Sequence, residues 1–179
     1  GNLCYLLQGR VAPLFTAIEF GLGDKMMIRA VAQVLNTKLS TVEQIFKQEG
    51  DLGITVEKLK TQNSKLKTPN QNSKLTINDV YKILYQVATA GGLGSQEIKL
   101  KLLGDLLRDV DPLSSRYIVR ITLAKLRLGF SDMTMLDSLS WMLSGSKDHR
   151  GLIEKAYNVR PDLGYISETL KREGIDGLE

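Results

Sequence analysis

An all-helical fold is what this sequence predicts, on three observations. Apolar residues recur at the three- and four-residue spacing of a helix face in stretch after stretch. The stretches are separated by Asp, Ser, Thr and Gly at places suited to starting and stopping helices. Aromatic residues make up only 6% of the chain, whereas Leu, Ile, Val, Ala, Lys and Glu are plentiful, which favours helix over sheet. The 179 residues, 42% of them hydrophobic, suffice for one compact domain, or for two small halves that share a core.

The elements follow in order. Cys4 lies in a first apolar helical stretch. Asp24 precedes an apolar run of Met26, Met27, Ala30, Val31 and Leu35. Ser40 and Glu43 have the spacing of a capping box ahead of Ile45 and Phe46, and Gly50 closes that helix. Thr76 and Asp79 mark another start, after which Ile77, Val80, Ile83, Leu84 and Val87 form one stripe that ends at Gly91-Gly92. Ser95 is placed to cap a helix through Val110, with Ile98, Leu102, Leu103, Leu106 and Leu107 facing inward. Asp111 caps the next, with Pro112 at the tolerated first position, and this helix is predicted to reach Leu128 and stop at Gly129. Further helices are expected over Met133–Leu143, Leu152–Tyr157 and Tyr165–Arg172, and no strand.

Residues 61–75 read as a mobile polar linker, rich in Asn, Gln, Ser, Thr and Lys, in which Gln62-Asn63-Ser64-Lys65-Leu66 returns as Gln71-Asn72-Ser73-Lys74-Leu75. On either side of it, landmarks recur in the same order. Tyr5-Leu6-Leu7 parallels Tyr117-Ile118-Val119, Leu22-Gly23 parallels Leu128-Gly129, Phe46 parallels Tyr157, and Asp51-Leu52-Gly53 parallels Asp162-Leu163-Gly164. Two pseudo-symmetric halves, 1–60 and 76–179, are therefore expected. The helix from Ser95 to Val110 has no counterpart ahead of Tyr5, so one or more N-terminal helices are expected to be missing from the first copy.

One Cys and one His allow neither a disulfide framework nor a metal cluster within the chain. Cys4 is expected to fill space and His149, in Lys147-Asp148-His149-Arg150, to be solvated. No run of about 18 apolar residues occurs, nor a secretory leader, so a soluble, unsecreted protein is expected. Separate expectations are a monomer without a membrane partner and an intracellular place, in a prokaryotic cytoplasm rather than a nucleus. The net charge of +4 permits a polyanionic partner without requiring one.

Three loops combine glycine, a cation and a helix start: Gly21-Leu22-Gly23-Asp24-Lys25, Gly91-Gly92-Leu93-Gly94-Ser95-Gln96 followed by Lys99, and Lys125-Leu126-Arg127-Leu128-Gly129. Glycine lets a phosphate approach the main chain, unpaired N–H groups at a helix start point toward it, and the cations displace counterions. Taken singly, each loop reads as readily as a plain helix cap. The recurrence of the first and third favours contact with both strands of a duplex from one concave side, by shape rather than by base sequence. Surface aromatics for stacking single strands are not evident.

With their surroundings, these loops resemble the N-terminal DNA-binding domain of ATP-dependent DNA ligases of the archaeal and eukaryotic type. The resemblance rests on Leu7-Gln8-Gly9-Arg10, on Glu19-Phe20-Gly21-Leu22-Gly23-Asp24-Lys25 with Ile28-Arg29-Ala30, on Gly94-Ser95-Gln96 with Lys99, on Ser115-Arg116-Tyr117, and above all on Lys125-Leu126-Arg127-Leu128-Gly129. Ala156-Tyr157-Asn158-Val159 and Asp162-Leu163-Gly164 also fit. It implies an all-helical domain that binds nicked double-stranded DNA across the minor groove, in replication and repair. It implies backbone contacts from Gly21, Gly23 and Lys25, from Gly94, Ser95 and Gln96, and from Arg127 and Gly129, with Lys125, Lys99 and Arg29 as further candidates and Arg116 divided between DNA and a helix neighbour. ATP and magnesium are implied for the parent enzyme, and its nucleotidyltransferase and oligonucleotide-binding domains are implied as partners. The family's Lys-x-Asp-Gly motif is absent. Its nearest approach is Gly174-Ile175-Asp176-Gly177, so no catalytic residue is assigned and this chain is expected to be inactive alone. Two other readings compete: a helix-hairpin-helix glycosylase or nuclease, suggested by Phe20-Gly21-Leu22-Gly23, and a helical protein-interaction scaffold.

Overall fold

The computed structural model describes residues 1–63, 75–126 and 128–178. Among these it contains ten α-helices and no strand, as predicted: α1 (Asn2–Leu7), α2 (Asp24–Val34), α3 (Leu39–Glu49), α4 (Leu52–Gln62), α5 (Ile77–Thr89), α6 (Ser95–Asp109), α7 (Pro112–Thr122), α8 (Asp132–Ser144), α9 (Arg150–Val159) and α10 (Leu163–Glu173). Residues 64–74, most of the predicted linker, lie outside the described residues. No described helix is long and apolar enough to cross a membrane.

Side-chain caps account for five of the ten helix starts, those of α4, α5, α7, α8 and α10. Asp51, Asp111 and Asp162 each accept a backbone N–H from three residues on, at 3.0, 2.9 and 2.9 Å. Thr76 and Asp79 close a full capping box at α5. The box predicted at Ser40 and Glu43 does not form, because α3 already begins at Leu39 behind an extended Lys38. A left-handed Asn36 (φ 48°) ends α2, and the Thr37 N–H bonds back to the Ala32 carbonyl, so the chain turns early and Ser40 falls inside the first turn.

The predicted run of α7 to Leu128 is also corrected. The helix stops at Thr122, where Ala124 is left-handed (φ 54°) and the Lys125 N–H reaches back to the Arg120 carbonyl at 2.8 Å. This is the glycine-type helix terminator, here built on alanine, and no local sequence signal announces it. On α6, Ile98 was predicted to face inward but is 50% exposed, and Leu100 is buried in its place.

The chain divides into two compact units, Gly1–Ile18 with Arg127–Glu179, and Glu19–Leu126. These are not the halves 1–60 and 76–179. In the second unit α4 packs along α7, while in the first α1 packs on α10. Each pairing joins an early helix to a late one. The geometry also sets a register for the recurring landmarks. A Cβ on Gly53 would stand 2.7 Å from the Arg116 carbonyl oxygen and 3.0 Å from the Arg120 side chain, and one on Gly164 would stand 2.1 Å from the Tyr5 ring. Arg120 pairs with the Asp51 carboxylate at 3.0 Å, and the Tyr5 hydroxyl donates to Asp162 at 2.6 Å. Tyr5 therefore does in its unit what Arg120 does in the other, one helical turn beyond its predicted match, Tyr117.

Each unit has its own core. In the first, Met135, Leu136 and Leu139 of α8 meet Ile153 of α9 and Leu163, Ile166 and Leu170 of α10, with Cys4 packed partly buried against them. In the second, Met27, Val31, Val42, Leu52, Val56, Leu103 and Leu106 are buried to within a few percent. Lys60 is wholly buried among them, and its ammonium donates to the carbonyls of Leu107 (2.5 Å) and Val110 and to the Ser115 hydroxyl (3.1 Å). These carbonyls close the end of α6, so a cation on α4 caps a neighbouring helix.

Candidate nucleic-acid interface

In the Glu19–Leu126 unit, two of the three loops predicted from sequence come together. Lys99, one turn into α6, donates its ammonium to the Phe20 carbonyl at 2.7 Å. A Cβ on the neighbouring Gly21 (φ 60°) would lie 3.5 Å from that nitrogen. The link places Gly21 and Gly23, at the start of α2, within one side-chain length of the first turn of α6. An ammonium has three donors, so two remain after the carbonyl is served.

Both helices start on residues that cannot cap them. Gly23 precedes α2 and Gly94 precedes α6, and neither start has a side-chain hydrogen bond, whereas α4, α5 and α7 of the same unit are capped by Asp51, Thr76 and Asp111. Gly94 sits at φ 79°, which a residue with a Cβ adopts only under strain. The first turns of α2 and α6 thus keep N–H groups without a side-chain cap at the positive end of each helix, beside the carboxylates of Asp24, which is paired with Lys125, and Glu97. Gly94 and Gln96 are exposed, and Ser95 is half-buried with its N–H turned back to the Gly92 carbonyl at 3.2 Å.

Lys25 and Arg29, four residues apart, lie on one exposed stripe of α2. Lys125 is not a free cation. Its ammonium spans both oxygens of Asp24 at 2.8 and 3.0 Å, in a pair that is about half exposed and worth little in water. Arg116 pairs with Glu57 of α4 at 2.7 Å.

The third loop falls in two parts. Arg127 lies outside the described residues. Gly129, in the other unit, is exposed with φ 77° and leads through Ser131, whose hydroxyl caps α8, into Asp132. Asp132 accepts from Gln8 at 2.8 Å and from the Tyr157 hydroxyl at 2.6 Å. Burial and the adjoining carboxylate push the Tyr157 phenol up to about 12, so it stays a donor through the physiological range. Gln8 and Tyr157 therefore have a physical role, which is to fix the start of α8 just after Gly129.

With this geometry in hand, the chain matches the family described as DNA ligase N terminus over residues 2–140. It belongs to that family. It is 41% identical to DNA ligase 2 of Thermofilum pendens and 39% identical to the DNA ligase of Aeropyrum pernix, in each case over 99% of its own length and 30% and 31% of theirs. A probable DNA ligase of Aquifex aeolicus is 37% identical over 99% of the chain and 30% of its own length. The chain thus spans a little under a third of these relatives.

Three features of this ligase N-terminal domain escape sequence reading. The Phe20 carbonyl that Lys99 seeks has no side-chain signature. Asp24, read as a helix start, also neutralises Lys125. Lys60, at the edge of the predicted linker, is a core residue. His149, predicted to be solvated, is half-buried at the start of α9, and its N–H donates to the Ser140 hydroxyl at 3.2 Å.

Proposed function

We propose that this domain holds duplex DNA around a nick through sugar-phosphate contacts, without reading base sequence, in the service of an ATP-dependent DNA ligase acting in replication and repair. The observation that carries the reading is the pair of glycine-started, uncapped helices α2 and α6, bound together by Lys99 and flanked by the exposed Lys25 and Arg29. Phosphate oxygens suit such a surface, because main-chain N–H groups and lysines bind any nucleotide equally. Gly21, Gly23, Lys25, Arg29, Gly94, Ser95, Gln96 and Lys99 contribute from one unit and Gly129 from the other. Arg127 joins them on the family resemblance, and Lys125 by exchanging Asp24 for a phosphate.

The sealing chemistry is assigned to the parent's nucleotidyltransferase and oligonucleotide-binding domains, with ATP and magnesium. The residues of this chain do not fit those groups. No set of three His, Cys, Asp or Glu among the described residues is placed to hold a metal ion, and glycine stands where the Lys-x-Asp-Gly motif needs its lysine. The domain alone is expected to bind without sealing.

A gel-shift comparison of nicked, intact and single-stranded substrates tests the reading. Nicked duplex should bind best, and its affinity should fall steeply with salt, by a log-log slope of about 0.9 for each phosphate neutralised. Equal binding to single strands, or none to duplex at low salt, would overturn it.

A further inference from the structure

Helices α1 and α7 end in the same way. Gly9 (φ 72°) is left-handed, its N–H bonds to the Leu6 carbonyl at 3.0 Å, and the Arg10 N–H reaches back to the Tyr5 carbonyl at 3.0 Å. Ala124 (φ 54°) is left-handed, its N–H bonds to the Ile121 carbonyl at 3.0 Å, and the Lys125 N–H reaches back to the Arg120 carbonyl at 2.8 Å. Such paired bonding closes a helix and fixes the direction in which the next residue leaves it. The match extends on both sides. Tyr5 and Arg120 do the same work toward Asp162 and Asp51, and Val11 and Leu126, next after the two cations, are both buried. Arg10 therefore stands in its unit where Lys125 stands in the other.

The helix starts near these cations match too. Gly21 (φ 60°) and Gly129 (φ 77°) are both left-handed, and each comes two residues before an extended N-cap, Gly23 (φ -102°, ψ 169°) or Ser131 (φ -105°, ψ 170°). An aspartate follows each N-cap, Asp24 in α2 and Asp132 in α8. At α2 the ammonium of Lys125 spans both oxygens of Asp24. At α8 the corresponding carboxylate is served by neutral donors, Gln8 on Oδ1 and the Tyr157 hydroxyl on Oδ2. Arg10 is left over. Its positive field reaches the Tyr157 phenol, which puts it near the start of α8, yet among the described residues its guanidinium makes no hydrogen bond and no ion pair.

We propose that Arg10 is a DNA-backbone residue of this domain, holding a phosphate beside Gly129 and the start of α8 as Lys125 holds one beside Gly21 and the start of α2. A guanidinium meets phosphate oxygens through two parallel N–H donors, and Arg10 has no carboxylate to surrender first. Lys125 must exchange Asp24 for the phosphate, so of the two Arg10 is the cation ready to bind. The terminator at Gly9 holds its backbone in place, and Gln8 ties the same turn to Asp132. The assignment rests on the proposed grip on duplex DNA and gives a function to the last residue of the Leu7-Gln8-Gly9-Arg10 motif.

Salt titrations of the 179-residue chain on a nicked duplex test it. Arg10→Gln should weaken binding at low salt and flatten the log-log slope by about 0.9, the share of one phosphate, whereas Arg10→Lys should keep the slope. Because the guanidinium makes no hydrogen bond or ion pair within the protein, Arg10→Gln should leave the melting temperature unchanged. In the unaltered chain, duplex should slow the modification of Arg10 by phenylglyoxal, read by mass spectrometry. Loss of affinity at an unchanged slope, unchanged affinity, or a modification rate indifferent to duplex would overturn the assignment and leave duplex binding standing. Absence of salt-dependent binding by the unaltered chain would overturn the interface itself, and the role of Arg10 with it.

Discussion

Replacing Lys60 by Met tests how α6, and with it the Gly94–Gln96 turn and Lys99, is anchored. The substitution keeps the apolar stem and deletes an ammonium that serves two carbonyls and a hydroxyl in a site closed to water. Each buried acceptor left unserved costs roughly 1–3 kcal/mol. Relief from burying a charge offsets part of this, which leaves a net loss of about 1–3 kcal/mol at pH 7. The pH dependence is the sharper readout. Burial holds the Lys60 ammonium down to about 8, against the opposing pull of Asp111 and Asp109, whereas in the unfolded chain it titrates near 10.5. Between those values the unfolded chain keeps a proton that the native protein has released, so the native state gains stability as pH rises through 8 toward 10.5. At about 1.4 kcal/mol per unit, the gain reaches roughly 2 kcal/mol at pH 9.5, and the Met variant lacks it. Parallel urea titrations of the two proteins at pH 7, 8.5 and 9.5 cancel the contributions of the other lysines. The stability gap should widen with pH, and a gap that stays flat or narrows refutes the account of Lys60.

Three further outcomes are expected. Gly164→Ala should destabilise the protein by about 1–3 kcal/mol in thermal or urea unfolding, because the new methyl meets the Tyr5 ring; a neutral result would contradict the α1–α10 packing. Lys99→Met should weaken binding to nicked duplex and reduce the log-log salt slope by roughly 0.9, whereas loss of affinity at unchanged slope would assign Lys99 to holding the Phe20 carbonyl alone. Arg127→Ala should flatten the slope by about one unit if that side chain holds one phosphate, and an unaltered slope removes it from the interface.

What the sequence determined by itself was whatever depends on a few consecutive residues. The caps at Thr76 and Asp111 are bonds across three positions, so their pattern is written in order along the chain. The helical class and the glycine loops at the starts of α2 and α6 were legible for the same reason. Tertiary structure alone decided which cations are engaged and which helices pair. Lys125 meets Asp24 across 101 positions, and Lys60 meets Leu107 across 47. No local pattern announces either partner. The early stop of α7 at an alanine, the one-turn shift that sets Tyr5 opposite Asp162, and the division into units that join early helices to late ones have the same origin. Packing free energy is gained between surfaces distant in sequence, and it outweighs the tenths of a kcal/mol by which local propensities differ.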